Sequence, residues 1–155
     1  SAIVKNGNVY ANKINLSDDI KAVVVIPNKP MSTASSRQIL PKNYTMKECV
    51  NNLSHAAFLT SCFYEKRYDL LRVASEDMMH EERRMSALKE LFEVRKVAYE
   101  NGALMSTLSG SGSSFLNIAY KDDAKNLQDV LKSKFGDFRV EIFSFDNDGY
   151  EITQS

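Results

Sequence analysis

Apolar residues recur along this chain with two different periods, one suited to strands and one to helices. Val9-Tyr10-Ala11-Asn12-Lys13-Ile14 alternates weakly behind the turn signal Asn6-Gly7-Asn8, which predicts a small hairpin over residues 3–14. Ala22-Val23-Val24-Val25-Ile26 is a β-branched run stopped by Pro27, and reads as a central strand buried on both faces. A loop through Asn28-Lys29-Pro30 follows, with one helical turn at 35–39. The helical period begins at Thr45-Met46-Lys47-Glu48, a capping box. The helix it opens carries Met46, Cys49, Val50, Leu53 and Ala57 on one stripe and should run to about Phe63. A second helix is expected over 68–74, and a third segment through Met85 with Ser75 as its N-cap. A fourth, over 86–101, should bury Leu88, Leu91, Phe92 and Ala98 and end on Gly102 as a left-handed cap. Two strands, 102–106 and 116–120, then flank a glycine-serine loop. Asp122 is expected to cap a last helix that turns Ala124, Leu127, Val130 and Leu131 inward and stops at Gly136. Phe138-Arg139-Val140-Glu141-Ile142 alternates strictly and reads as the final strand.

Strand, several helices, two strands, helix, strand is the order of an α+β protein. It predicts a ferredoxin-like plait: a four-stranded antiparallel sheet with helices packed on one face, the last strand slotted beside the first. The 155 residues suffice for one domain with its own core.

Charge removes several function classes. Twenty basic and twenty acidic residues cancel, so no electrostatic footprint for nucleic acid is present. No apolar run approaches the ~20 residues of a membrane span, and no signal peptide is expected from the first residues. Cys49 and Cys62 share one expected helix, where thirteen steps separate them by roughly 20 Å, far beyond disulfide reach. Reduced thiols fit a cytoplasmic location.

Chemistry concentrates in Thr107-Leu108-Ser109-Gly110-Ser111-Gly112-Ser113-Ser114-Phe115. Two glycines among four serines let backbone N–H groups turn toward a ligand without Cβ interference. Other candidates are weaker. His80-Glu81-Glu82-Arg83-Arg84 begins like a zinc-protease helix, but Arg84 stands where the second histidine should be. Asp146-Asn147-Asp148-Gly149 has the wrong spacing for a calcium loop and reads as a turn. His55 reads as a packed or surface residue, and no metal site is expected.

The glycine loop resembles the third motif of the GHMP small-molecule kinases, Leu-Ser-Gly-Ala-Gly-Pro-Thr, with Ser111 for alanine and Ser113-Ser114 for Pro-Thr. Ser32-Thr33-Ala34-Ser35-Ser36-Arg37-Gln38-Ile39-Leu40-Pro41 is similar to the Ser-Thr-x-x-x-Arg-x-x-Leu-Pro segment of the homoserine kinases in that superfamily. Asn51-Asn52-Leu53-Ser54-His55-Ala56-Ala57 resembles their Asn-Leu-Ser-x-Ala-Ala helix. Asp77-Met78-Met79-His80-Glu81-Glu82-Arg83-Arg84 is close to their Asp-x-x-x-Glu-Pro-x-Arg, with Glu82 for proline.

That resemblance implies transfer of the γ-phosphoryl of ATP to the hydroxyl of L-homoserine, on the route to threonine. Arg37 and Arg84 inherit contact with the amino-acid substrate, and Ser109, Gly110, Ser111, Gly112 and Ser113 form the phosphate and substrate loop. The family's principal ATP-binding segment, Pro-x-x-x-Gly-Leu-Gly-Ser-Ser-Ala, is not found. The chain is therefore expected to be a carboxy-terminal half, with ATP and Mg2+ held mainly by an amino-terminal half and no catalytic residue assigned here. A homodimer is left open. The alternatives are a ferredoxin-like ligand-binding or regulatory module, or another GHMP kinase. Paired arginines favour an amino-acid substrate, because a planar guanidinium grips a carboxylate in two places.

Overall fold

The protein is described by a computed structural model covering residues 1–29 and 31–149, so Pro30 of the expected loop lies outside the described residues. A two-stranded hairpin comes first, β1 (Ala2–Lys5) and β2 (Asn8–Ala11). Its turn places Asn6 and Gly7 at φ +52° and +77°, as a two-residue hairpin turn requires. The main sheet contains β3 (Ile20–Ile26), β4 (Met105–Leu108), β5 (Phe115–Tyr120) and β6 (Arg139–Phe143), all antiparallel, in the order β4-β5-β3-β6. This is the ferredoxin-like arrangement, with the last strand paired to the first strand of its sheet.

Alternation in β3 divides the core. Val23 and Val25 face α5 (Glu90–Glu100) and α6 (Lys121–Lys134), where Leu91, Val94, Leu127 and Leu131 close over Phe115 and Val140. Each such aliphatic side chain contributes about 1.5–3 kcal/mol on burial. Ile20 points to the opposite face. There a smaller cluster forms with Met105, Ile118, Tyr68 and Leu71, so the end of α2 (Met46–Tyr64), a 3-10 turn (Tyr68–Leu70) and α3 (Leu71–Ala74) cover part of that side. The α5–α6 layer is the expected helical face, and the second cluster adds to it.

Several local expectations need correction. Ser75 ends α3 rather than starting a helix, and its hydroxyl donates back to the Arg72 carbonyl. The next helix, α4 (Glu81–Met85), is only five residues long. The one after it begins at Glu90, four residues later than expected, and Phe92 stays partly exposed beneath the Arg95 guanidinium. Tyr120, not Asp122, occupies the N-cap of α6, which leaves Asp122 in the first turn where its charge suits the helix dipole.

The Gly102 cap is as expected. At φ +88° it lets the Ala103 N–H reach the Ala98 carbonyl at 2.9 Å. The Thr45–Glu48 capping box is also formed. The stripe behind it, however, faces outward: Met46 is 79%, Val50 57% and Leu53 73% exposed. Only the last turns of α2 reach the core, through Cys62 with Leu59 and Phe63 packed beside it. Periodicity identifies an apolar face; it does not say what covers that face.

Candidate active site: α1, the glycine loop and Arg84

Three segments far apart in sequence meet at one end of the sheet. The first is α1 (Thr33–Gln38), whose N-terminus is capped by the Ser32 hydroxyl accepting from Ser35 N–H. The buried residue of this short helix is Ser36. Its hydroxyl donates to the Ser111 carbonyl at 2.9 Å, while Thr33 Oγ1 lies 3.3 Å from Ser111 Oγ. α1 is thereby fastened to the glycine loop, as two polar side chains one turn apart allow.

The loop itself is pinched where the Ser109 N–H meets the Ser114 carbonyl at 2.9 Å. Gly110 and Gly112 both sit in the left-handed region, at φ +67° and +96°. A Cβ on Gly112 would also come within 3.4 Å of the Met31 side chain. Among the described residues, the N–H groups of Gly110, Ser111 and Ser113 have no hydrogen-bond acceptor. Unpaired N–H groups this close together are suited to an anionic ligand.

α4 supplies the third part. Arg84 Nη1 donates to the Gly110 carbonyl at 3.3 Å, and its Nε is buried with no partner among the described residues. Arg83, one residue earlier, turns the other way. It reaches Glu48 at 2.6 Å and the Met78 and Met79 carbonyls, above the Tyr44 ring. Arg37 lies on α1 next to Ser36, exposed, and its guanidinium makes no hydrogen bond among the described residues. The structure thus brings Arg84 and the loop into contact and places Arg37 on the helix that touches the same loop.

A cavity of about 340 Å³ opens beside these groups, lined by Met31, Ser32, Ser35, Ser36, Ile39 and Ala87. A larger one, about 570 Å³, lies on the Arg83 side of α4. Most of the charge in the larger one is spent internally, Glu48 on Arg83 and Arg95 on Glu81 and Glu82. The smaller cavity is joined to the loop through Ser36, whose hydroxyl holds the Ser111 carbonyl.

Support for α4 comes from Asp77. Its Oδ1 accepts from the N–H groups of Met79, His80 and Glu81, and Asn52 of α2 donates to Oδ2. Burial pushes the Asp77 carboxyl up, but these donors outweigh it and hold the group below its ordinary range. Glu81, also buried, binds the Leu108 N–H at the root of the loop. Neither supporting role could be read from spacing, because each depends on which backbone group the fold brings near. His80 pairs with Asp77 at 3.1 Å, and the expected turn at Asp146 is built by its carboxylate accepting from Asp148 N–H.

Residues 59–137, just over half of the chain, match the family model described as GHMP kinases C terminal. The chain belongs to the GHMP kinase family. This GHMP kinase chain is 99% identical over all 155 residues to the homoserine kinase of Campylobacter concisus strain 13826, of which it covers 53%. It is 63% identical over 150 residues to the homoserine kinase of Campylobacter hominis, covering 51% of that protein. It therefore spans about half the length of the curated relatives it matches. In three dimensions it resembles a crystal structure of homoserine kinase from Cytophaga hutchinsonii, with a TM-score of 0.78 over 88% of this chain and 44% of the other. At 22% identity that likeness concerns the fold. The matched residues of this GHMP kinase chain run from the end of α2 through β4, the glycine loop, β5 and α6, while β3 and β6 lie outside them.

Proposed function

We propose that this chain is the substrate-binding, carboxy-terminal part of a homoserine kinase, which moves the γ-phosphoryl group of ATP to the side-chain hydroxyl of L-homoserine in threonine biosynthesis. The observation that carries this reading is the 99% identity with a homoserine kinase across every residue of the chain. The site geometry supports it. Arg84 keeps a buried Nε donor unspent beside the glycine loop, which suits the α-carboxylate of an amino acid. Arg37, exposed on α1 beside the Ser36 that holds the loop, would be the second guanidinium for the same carboxylate.

Phosphoryl transfer depends on positioning and charge stabilisation more than on covalent chemistry by the protein. The unspent N–H groups of Gly110, Ser111 and Ser113 fit a phosphoryl oxygen, and they hold their direction because Ser36 and the Ser109–Ser114 pinch fix the loop. ATP supplies the phosphoryl group. Magnesium, which the resemblance implies, is proposed to be held mainly by the amino-terminal half. No helix among the described residues is long and apolar enough to cross a membrane.

The test is a coupled ATPase assay with homoserine on two samples. The complete protein, with the other half restored, should turn over homoserine, and the 155-residue chain alone should not. A complete protein that ignores homoserine but phosphorylates a mevalonate-type alcohol would keep the kinase family and remove the substrate.

A further inference from the structure

We infer that Glu81 is a positioning residue, holding Arg84 and the glycine loop in register with each other. Glu81 is 4% exposed, and a carboxylate that deep is costly unless each oxygen has a partner. Oε1 accepts the Leu108 N–H at 2.8 Å, and Oε2 faces Arg95 Nη1 at 3.5 Å. Leu108 is the last residue of β4 and directly precedes Ser109. β4 is an edge strand, with β5 on one side only, so Glu81 takes up a backbone donor that no neighbouring strand uses.

Glu81 and Arg84 stand three residues apart and share a face of α4. Their contacts on the other side, Leu108 N–H and Gly110 C=O, are two residues apart. One short helix is thus pinned to the root and the tip of the loop at once. α4 cannot hold this geometry alone, because five residues give it too few internal hydrogen bonds. Asp77 fixes its start, and Glu81 fixes its rotation. A leucine at 81 would be similar in size but would offer the Leu108 N–H no acceptor. The carboxylate therefore serves the Leu108 N–H and, through it, the separation of Arg84 from the loop.

The inference rests on the reading of Arg84 as a substrate ligand, and its test separates the two. In the complete enzyme, Glu81→Leu should raise KM for homoserine about tenfold, the effect of losing one charge-assisted hydrogen bond. KM for ATP should stay within about twofold. Glu81→Gln keeps an acceptor for Leu108 and should recover most of the loss. In an Arg84→Ala background, Glu81→Leu should add little to the homoserine KM, since the two act in series. Hydrogen exchange read by NMR should show the Leu108 amide opening in Glu81→Leu and protected in Glu81→Gln. Equal rises in both KM values, additive effects with Arg84→Ala, or an unchanged Leu108 amide would overturn the positioning role. If the wild-type enzyme does not act on homoserine, the substrate reading falls by itself, and the amide exchange alone decides the role of Glu81.

Discussion

Arg83 and Arg84 are adjacent on α4 and point to different sides of it, about 100° apart around the helix. In the complete enzyme, Arg84→Ala should raise KM for homoserine far more than KM for ATP, measured by steady-state kinetics. Arg83→Ala should do something else: it leaves Glu48 and two backbone carbonyls short of a donor, so the melt should show a loss of about 1–2 kcal/mol. If the two phenotypes were exchanged, the substrate contact would belong to Arg83. Gly112→Val should abolish turnover and also lower the melting temperature, because φ +96° disfavours any side chain and Met31 already touches that point. The arginine register was legible from the sequence because helical spacing alone decides which way neighbours point. The strain at Gly112 was half legible: glycine signalled freedom, but the Met31 contact comes from a residue eighty-one positions away. Glu81 could be quoted within a motif, yet its partner is a backbone N–H that only the folded β4 supplies.

Helix α2 shows the same division at the scale of an element. Its start was legible because a capping box is local chemistry, and its buried face was not because burial is decided by other elements. The box also makes a pH prediction. The Thr45 N–H, then Arg83, then the Thr45 hydroxyl hold the Glu48 carboxyl down at about 2, against an ordinary 4.5. A depressed folded-state value stabilises the protein in full above the unfolded value, and the benefit drains away as pH falls from 4.5 toward 2. Urea midpoints measured from about pH 6 downward should fall across that window, and Glu48→Gln should flatten this part of the profile. The two thiols of α2 divide as well. Burial pushes the Cys62 thiol up, and it lies in the core, whereas Cys49 is partly accessible. Alkylation of the native protein should label Cys49 first and Cys62 only on unfolding. Rapid double labelling would show that the second cluster opens readily.

Over the whole molecule, strand order and sheet class were legible because alternation and β-branched runs mark strands whatever surrounds them. The second cluster was not, since Tyr68, Leu71 and Cys62 look like ordinary helix positions until the chain folds them against Ile20 and Ile118. The hairpin is the remaining element of this scale, and its consequence is colloidal. Ile3 pairs with Tyr10 and Val4 with Val9, so large exposed apolar side chains emerge from both faces of a ribbon with open edges. A formal net charge of zero at pH 7 and an isoelectric point near 6.7 leave no long-range repulsion to keep two ribbons apart. Light scattering from the 155-residue chain should therefore peak near its isoelectric point and rise with concentration. Val4→Lys with Val9→Lys should suppress it by adding like charge to one face of the ribbon. Scattering unchanged by that pair would move the sticky surface to the exposed stripe of α2, where Met46, Val50 and Leu53 would be the next residues to make polar.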